Sequence, residues 1–237
     1  MKSPSELLCD RIVTLQGLDL FHKRNLNIAI SGGTSPDTLF ALWADTYFKI
    51  IDWRRINIFW VDERCVPPGH PESNYGRAYQ KFLKESPLPD KNIFRIEGEI
   101  NPSEAALAYE KIVKSVLGET EGFDLAILGI GDDGHTSSVF PGQTDLYFTE
   151  ELYKNSVNPY SGQNRIALTL PGILKSKEIV FYLNGPSKQD ILKKMDENRS
   201  ENLLPAEFVI KNAGKSFIYW DNAPGVAFVK LNSIFVK

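Results

Sequence analysis

The stretch that most restricts what this 237-residue chain can fold into is FDLAILGIGDDGHTSSVFPG, Phe123 to Gly142. It begins as a short apolar run, Phe123, Leu125, Ala126, Ile127 and Leu128, broken only by Asp124 near the entry. A run of this kind predicts a central strand of a parallel sheet, covered by helices on both faces. The character then changes: Gly129, Gly131 and Gly134 sit among Asp132 and Asp133, and His135 follows at once. Glycines let a backbone turn tightly and approach a ligand closely. A loop at the carboxyl end of such a strand is where an open α/β sheet places its chemistry.

The rest of the chain alternates in the same way. A helix is predicted from Ser3 to about Arg24, with Pro4 in its first turn, then a strand over Leu26 to Ile30. Helical spacing returns from Leu39 to Phe48, and a strand follows over Arg55 to Val61. Helices are predicted over Asn74 to Leu83 and Ser103 to Leu117. After the Phe123 strand come a strand or edge segment at Arg165 to Leu170 and a strand at Glu178 to Leu183. Gly185-Pro186-Ser187-Lys188 opens a helix running to about Met195, and Ser216 to Trp220 is the last expected strand. Strands alternating with helices predict an α/β fold with a doubly wound, mostly parallel sheet and helices on both faces. No internal repeat or low-complexity segment interrupts it. Thr144 to Asn164 is the least patterned part and reads as a surface excursion within a single domain, 1–237.

Composition narrows the function. A net charge of -3 argues against a broad nucleic-acid surface. Two cysteines without paired spacing, Cys9 and Cys65, point to a reducing compartment and no disulfide framework. No apolar core of signal-peptide length stands at the N-terminus, and no run of about 20 apolar residues could span a membrane. A cytoplasmic protein without a membrane partner is the expectation.

Several groups could carry chemistry. Gly129-x-Gly131-x-x-Gly134 matches a dinucleotide-binding pattern, but Asp132 and Asp133 would repel a pyrophosphate. Pro141 and Gly142 also come too early for the helix that should hold it. Ser31-Gly32-Gly33-Thr34-Ser35-Pro36 lies between a strand and a helix. It reads equally as a phosphate cradle and as a tight turn with Thr34 or Ser35 as a cap. Arg165 and Lys188 are candidate phosphate partners, each with an ordinary alternative as an exposed charge. Lys188 sits at a helix start, where a cation opposes the dipole and a nearby anion would account for it. Asp62, Glu63 and Arg64 end an apolar strand, where they read as functional groups or as a structural ion pair. Cys65 reads as a small buried residue. His22 and His70 read as solvated. His135 can take a proton from water, oriented by Asp133 or Asp62. A metal held by Asp62, Asp133 and His135 is an alternative that lacks the usual His and Cys ligands. No G-x-S-x-G elbow marks a serine hydrolase.

In this order, SGGTSP (31–36), WVDERCVP (60–67) with ESNY (72–75), LGIGDDGHTSSVFPG (128–142), RIALTLP (165–171) and NGPSK (184–188) resemble the 6-phosphogluconolactonase family. The resemblance implies a Rossmann-like α/β fold, no cofactor, and hydrolysis of 6-phospho-D-glucono-1,5-lactone to 6-phosphogluconate in the oxidative pentose phosphate pathway. It implies His135 as general base, Asp133 setting its tautomer, Arg64 near the lactone, and Asp62 positioning sugar hydroxyls or supporting the site. Gly32, Gly33, Thr34, Arg165 and Lys188 would hold the 6-phosphate. The expected partner is a small sugar-phosphate lactone, bound by a monomer or small homo-oligomer. The related glucosamine-6-phosphate deaminases carry a carboxylate soon after the shared Asp-Gly-His. Here Thr136 to Phe140 contain none, and the first acid is Asp145. A deaminase or isomerase on the same fold, and a non-catalytic sugar-phosphate sensor, remain the competing readings.

Overall fold

The computed structural model describes residues 2–18, 24–198, 200, 202–222 and 235–236. Its centre is a parallel sheet of β1 (Leu26–Ile30), β2 (Ile56–Trp60), β4 (Ile93–Phe94), β5 (Leu125–Leu128), β8 (Ile179–Asn184), β9 (Ser216–Asp221) and β10 (Phe235–Val236). The strand order is β10-β9-β8-β5-β1-β2-β4, and every pairing is parallel. β1, β2 and β5 are buried along their whole length, the outcome expected of mainly apolar runs covered on both faces. The one polar residue in each of β1 and β2 meets the other, Asn57 donating to the Asn27 side chain at 2.8 Å.

From β1 the chain winds outward through β2 to β4, then returns to β5 on the other side of β1 and winds outward to β10. Crossovers between parallel strands are right-handed as a rule, so reversing the direction of winding moves the connecting helices to the opposite face. The direction of winding reverses between β1 and β5, and that crevice is where doubly wound sheets bind ligands. α1 (Pro4–Gly17) packs on α2 (Asp37–Ala44), and α2 packs on α3 (Asn74–Lys81). α1 starts with a capping box, Ser3 accepting from the Glu6 N–H while the Glu6 carboxylate accepts from the Ser3 N–H. Behind α2 and α3, Trp43, Trp53 and Phe82 pack ring against ring at 4.5–5.5 Å.

A second sheet was not expected. β3 (Asp62–Arg64), β6 (Tyr153–Val157) and β7 (Asn164–Leu168) pair antiparallel in the order β3-β7-β6. The strand or edge segment expected at Arg165 is β7, and it belongs to this sheet. β6 lies inside the stretch expected to be a surface excursion. Its pattern hides because Ser156 is one of its buried side chains, its hydroxyl donating to the Ser138 carbonyl at 2.6 Å. Val61 joins the two sheets: its N–H donates to Ile30 and its carbonyl accepts from Leu168. α4 (Pro102–Leu117) packs against β6 and β7. The short helix α5 (Leu170–Leu174) and the unanticipated α7 (Pro205–Asn212) pack together, and α6 (Lys188–Glu197) follows β8. α1 ends at Gly17, short of Arg24, with Leu18 in extended conformation. Leu20 and His22, assigned to this helix from sequence, lie outside the described residues.

Candidate active site

Four neighbouring strands end at one cavity of about 320 Å³, at the small end of ligand-pocket sizes. β1 delivers Ser31 to Ser35, β2 leads into Asp62 and Arg64, β5 into Gly129 to His135, and β8 into Lys188. The β1 and β5 loops are locked across the switch point. The Ser31 N–H donates to the Ile127 carbonyl at 2.8 Å, and the Gly129 N–H donates to the Ser31 hydroxyl at 3.2 Å.

The loop after β5 folds back on itself. The Gly131 N–H donates to the His135 carbonyl, and the Gly134 N–H to the Gly131 carbonyl, both at 2.9 Å. A Cβ on Gly131 would stand 2.1 Å from the His135 ring, so only glycine admits the imidazole there. Nδ1 of His135 lies 2.6 Å from Oδ1 of Asp133, and the His135 backbone N–H donates to the same oxygen at 3.0 Å. Burial works to raise the Asp133 carboxyl. The hydrogen bonds from His135 outweigh it, and the group is held well below the usual carboxylate range. An ionised Asp133 selects the tautomer with its proton on Nδ1 and leaves Nε2 of the partly exposed ring as a base. No long helix follows the three glycines; Thr136 to Val139 form a tight turn instead. In that turn Ser137 and Ser138 adopt positive φ, 51° and 54°, while buried. Ser137 donates to the carbonyls of Val61 and Leu168, and Ser138 donates to Asp62 at 2.5 Å. The turn pins both sheets to the loop that carries His135.

The cations are arranged differently. Arg64 and Arg165 are direct cross-strand partners in β3 and β7, so two guanidinium groups project from one face. Like charges so placed repel. Burial, and then the charge of Arg64, push the Arg165 pKa down. The Arg64 guanidinium donates to the Glu72 carbonyl at 2.9 Å and to the Asn74 amide oxygen. Among the described residues the Arg165 guanidinium has no hydrogen bond or ion pair, and Nε of both arginines is buried without a partner. Buried donors of this kind call for an acceptor. Lys188, the first residue of α6, reaches Asp132 at 2.7 Å, and that carboxylate is 81% exposed. The anion at this helix start is therefore Asp132, which solvent or a ligand can replace.

Asn74 is the site residue that sequence reasoning missed. Its amide nitrogen donates to the Asp62 carbonyl at 2.8 Å, and its oxygen accepts from the Gly33 N–H at 3.1 Å and from Arg64. A Cβ on Gly32 would fall 2.0 Å from the Asn74 side chain, so this glycine is needed for packing against Asn74. The signal available was the ESNY motif, in which Ser73 caps α3 and buried Glu63 accepts from the N–H groups of Asn74 and Tyr75. Asp62 is buried, holds Ser138 and Asn74, and supports the site from beneath. Asp133, not Asp62, orients His135. Neither Thr34 nor Ser35 caps α2 through its side chain. Burial pushes the Cys65 thiol up to about 11, and His70 is exposed. Among the described residues no cluster of three or more His, Cys, Asp and Glu side chains suits a metal ion, so Asp62, Asp133 and His135 do not form one. Among the described residues no helix is long and apolar enough to cross a membrane.

Comparison with known proteins adds a chemical context. The pattern of the family described as glucosamine-6-phosphate isomerases/6-phosphogluconolactonase matches residues 4–220. The 6-phosphogluconolactonase of Haemophilus influenzae is 38% identical over 200 residues, 84% of this chain and 85% of that protein. The 6-phosphogluconolactonase of Treponema pallidum is 35% identical over 168 residues, 70% of each chain. Among solved structures, a 6-phosphogluconolactonase from Trypanosoma cruzi superposes with a TM-score of 0.81 at 25% identity, over 93% of this chain and 92% of that one.

Proposed function

The chain belongs to the glucosamine-6-phosphate isomerase/6-phosphogluconolactonase family, and we propose that it hydrolyses 6-phospho-D-glucono-1,5-lactone to 6-phospho-D-gluconate, a step of the oxidative pentose phosphate pathway. The observation that carries this reading is the presence, in one cavity, of a carboxylate-oriented imidazole and two adjacent, under-paired guanidinium groups. The first suits activation of water, the second an anionic substrate.

In the proposed reaction Nε2 of His135 takes a proton as water adds to the lactone carbonyl. Asp133 stabilises the imidazolium that forms. Arg64 lies near the carbonyl and offsets the charge developing on its oxygen. The tetrahedral species collapses by breaking the bond to the ring oxygen, and His135 returns the proton to that oxygen. Arg165 and Lys188 hold the 6-phosphate together with the backbone of Gly32 and Gly33 and the hydroxyl of Thr34. Asp62 supports the site through Ser138 and Asn74. The reading takes 1–237 as one 6-phosphogluconolactonase-like domain. It is supported by a main sheet whose strands come from both ends of the chain, β1 at Leu26 and β10 at Phe235.

The test offers two substrates. Opening of 6-phosphogluconolactone, corrected for the spontaneous reaction, is expected to accelerate strongly, with no ammonia released from glucosamine 6-phosphate. Deamination must also move a proton between carbons, and Thr136 to Phe140 offer no acid or base for it near pH 7. Ammonia release at about 1 s⁻¹ or faster without lactone opening would replace this reading with the deaminase.

A further inference from the structure

The loop joining β6 and β7 has no part in the reaction just described, yet it touches the pair that performs it. The Tyr160 hydroxyl donates to Oδ2 of Asp133 at 2.9 Å, while both contacts from His135 fall on Oδ1. The Tyr160 ring meets Phe140 edge-on at 6.4 Å, and Phe140 lies against the His135 imidazole at 4.7 Å. Tyr160 is 73% exposed, so burial of its ring does not account for its position.

The loop is built to hold its shape. The Asn158 side chain accepts from the N–H groups of Tyr160 and Ser161 at 2.9 and 3.3 Å, and the Asn158 N–H donates to the Gln163 carbonyl at 2.9 Å. Gly162 takes φ +69°, which closes the turn. At its far end Gln163 donates to the Glu72 carboxylate at 3.0 Å, and the backbone carbonyl of Glu72 is an acceptor for Arg64. The loop thus spans from the His135 side of the cavity to the Arg64 side.

We propose that Tyr160 is a positioning residue for lactone hydrolysis: by holding Oδ2 of Asp133 it keeps Oδ1 on the imidazole. The proposal rests on His135 acting as the base. A carboxylate anchored through one oxygen alone can rotate and release the ring. A second donor fixes both the carboxylate and, through it, the tautomer. The hydrogen bond to Asp133 also raises the Tyr160 pKa, which keeps the phenol a neutral donor.

A double-mutant cycle of Tyr160→Phe and Asp133→Asn tests this. The phenylalanine keeps the ring on Phe140 and lies on an exposed loop, so folding is not at risk. Tyr160→Phe is expected to lower kcat about three- to tenfold, the worth of one hydrogen bond, with KM unchanged. In the Asp133→Asn background it is expected to cost nothing further. Wild-type kcat in Tyr160→Phe, an equal loss in both backgrounds, or a change in KM alone would each overturn the proposal. His135→Asn is measured alongside. Wild-type kcat in that variant would remove the premise and the proposal with it, a result distinct from failure of the cycle.

Discussion

The two ends of the parallel sheet both carry buried charge and treat it in opposite ways. At the amino end, Asp124 precedes β5 with its side chain 1% exposed. It accepts twice from Arg24 at 2.6 Å, once from Lys177 at 3.1 Å and once from the Asn27 N–H at 2.9 Å. Glu178, before β8, is held by Arg11 and Lys215. Each acid ties a strand start to another element, and its acceptor capacity is well used. At the carboxyl end the cations that line the cavity leave part of their donor capacity unused. Arg64 and Arg165 face each other with buried Nε–H groups unmet, and Lys188 is satisfied by an exposed aspartate. The difference separates charges whose partners hold the sheet together from cations with donors left over for a ligand. Removing a group at one end should cost stability and spare activity; at the other end the reverse should hold.

The largest effect is expected from His135→Asn, with kcat falling about 10²–10⁴-fold, the usual worth of a positioned base. The melting temperature should stay near that of the wild type, because asparagine is a smaller polar side chain at a site where the imidazole is already about one-third exposed. Next comes Lys188→Ala. It should raise KM for the phosphorylated lactone about ten- to a hundredfold, the range for a hydrogen bond to a charged group. Unphosphorylated gluconolactone should be turned over as before. Equal losses on the two lactones would show that Lys188 does not read the phosphate.

Asp124→Asn carries the comparison to the other end. It leaves Arg24 and Lys177 facing a neutral amide and should cost about 2–3 kcal/mol, or roughly 5–10 °C in melting temperature for a chain of this length. Its kcat and KM should match the wild type. A loss of activity in the folded variant would mean that the two ends are coupled. The smallest effect concerns acid. Burial works to raise the Glu178 carboxyl, but hydrogen bonds from Arg11 and Lys215 outweigh it, so the group lies below its ordinary value. Its contribution is therefore complete above the unfolded carboxylate value of about 4.3 and is lost as pH falls through the lower folded value. Glu178→Gln should flatten the melting-temperature profile below about pH 4 and leave it unchanged in shape near neutrality.

Legibility in the sequence follows the same physical lines. β1, β2 and β5 could be read because a strand buried on both faces is mainly apolar, with Asn27 and Asn57 the polar exceptions that bond each other, and the loops that follow them stood out by their glycines and charges. The His135 pair could be read in part: the residues leave Asp133 and Asp62 open as its partner, the family resemblance points to Asp133, and the structure puts Asp133 on the ring and Asp62 on Ser138. The second sheet could not. β3 is three residues long, and β6 places Ser156 in the interior, where its hydroxyl donates to the Ser138 carbonyl in the turn after His135. Asn74 escaped for another reason. An asparagine at the start of an ordinary helix looks like part of the helix entry, and only the meeting of three loops makes its amide a cross-link between Asp62, Gly33 and Arg64. The facing of Arg64 and Arg165 was equally hidden, because β3 and β7 are about a hundred residues apart in the chain and meet only by antiparallel pairing.

Arg165→Met tests the central claim most directly, with melting followed with and without 6-phosphogluconate at about a hundred times its wild-type dissociation constant. Binding at that excess stabilises a folded protein by about 2.7 kcal/mol. The variant exchanges a half-buried, unpaired charge for an apolar side chain of similar reach. Without ligand its melting temperature should equal or exceed that of the wild type, and the rise on adding the ligand should shrink to about half or less, as a tenfold loss of affinity requires. A variant that melts lower than the wild type yet keeps the full ligand-induced rise would contradict the account, because Arg165 would then be holding the fold and not the phosphate.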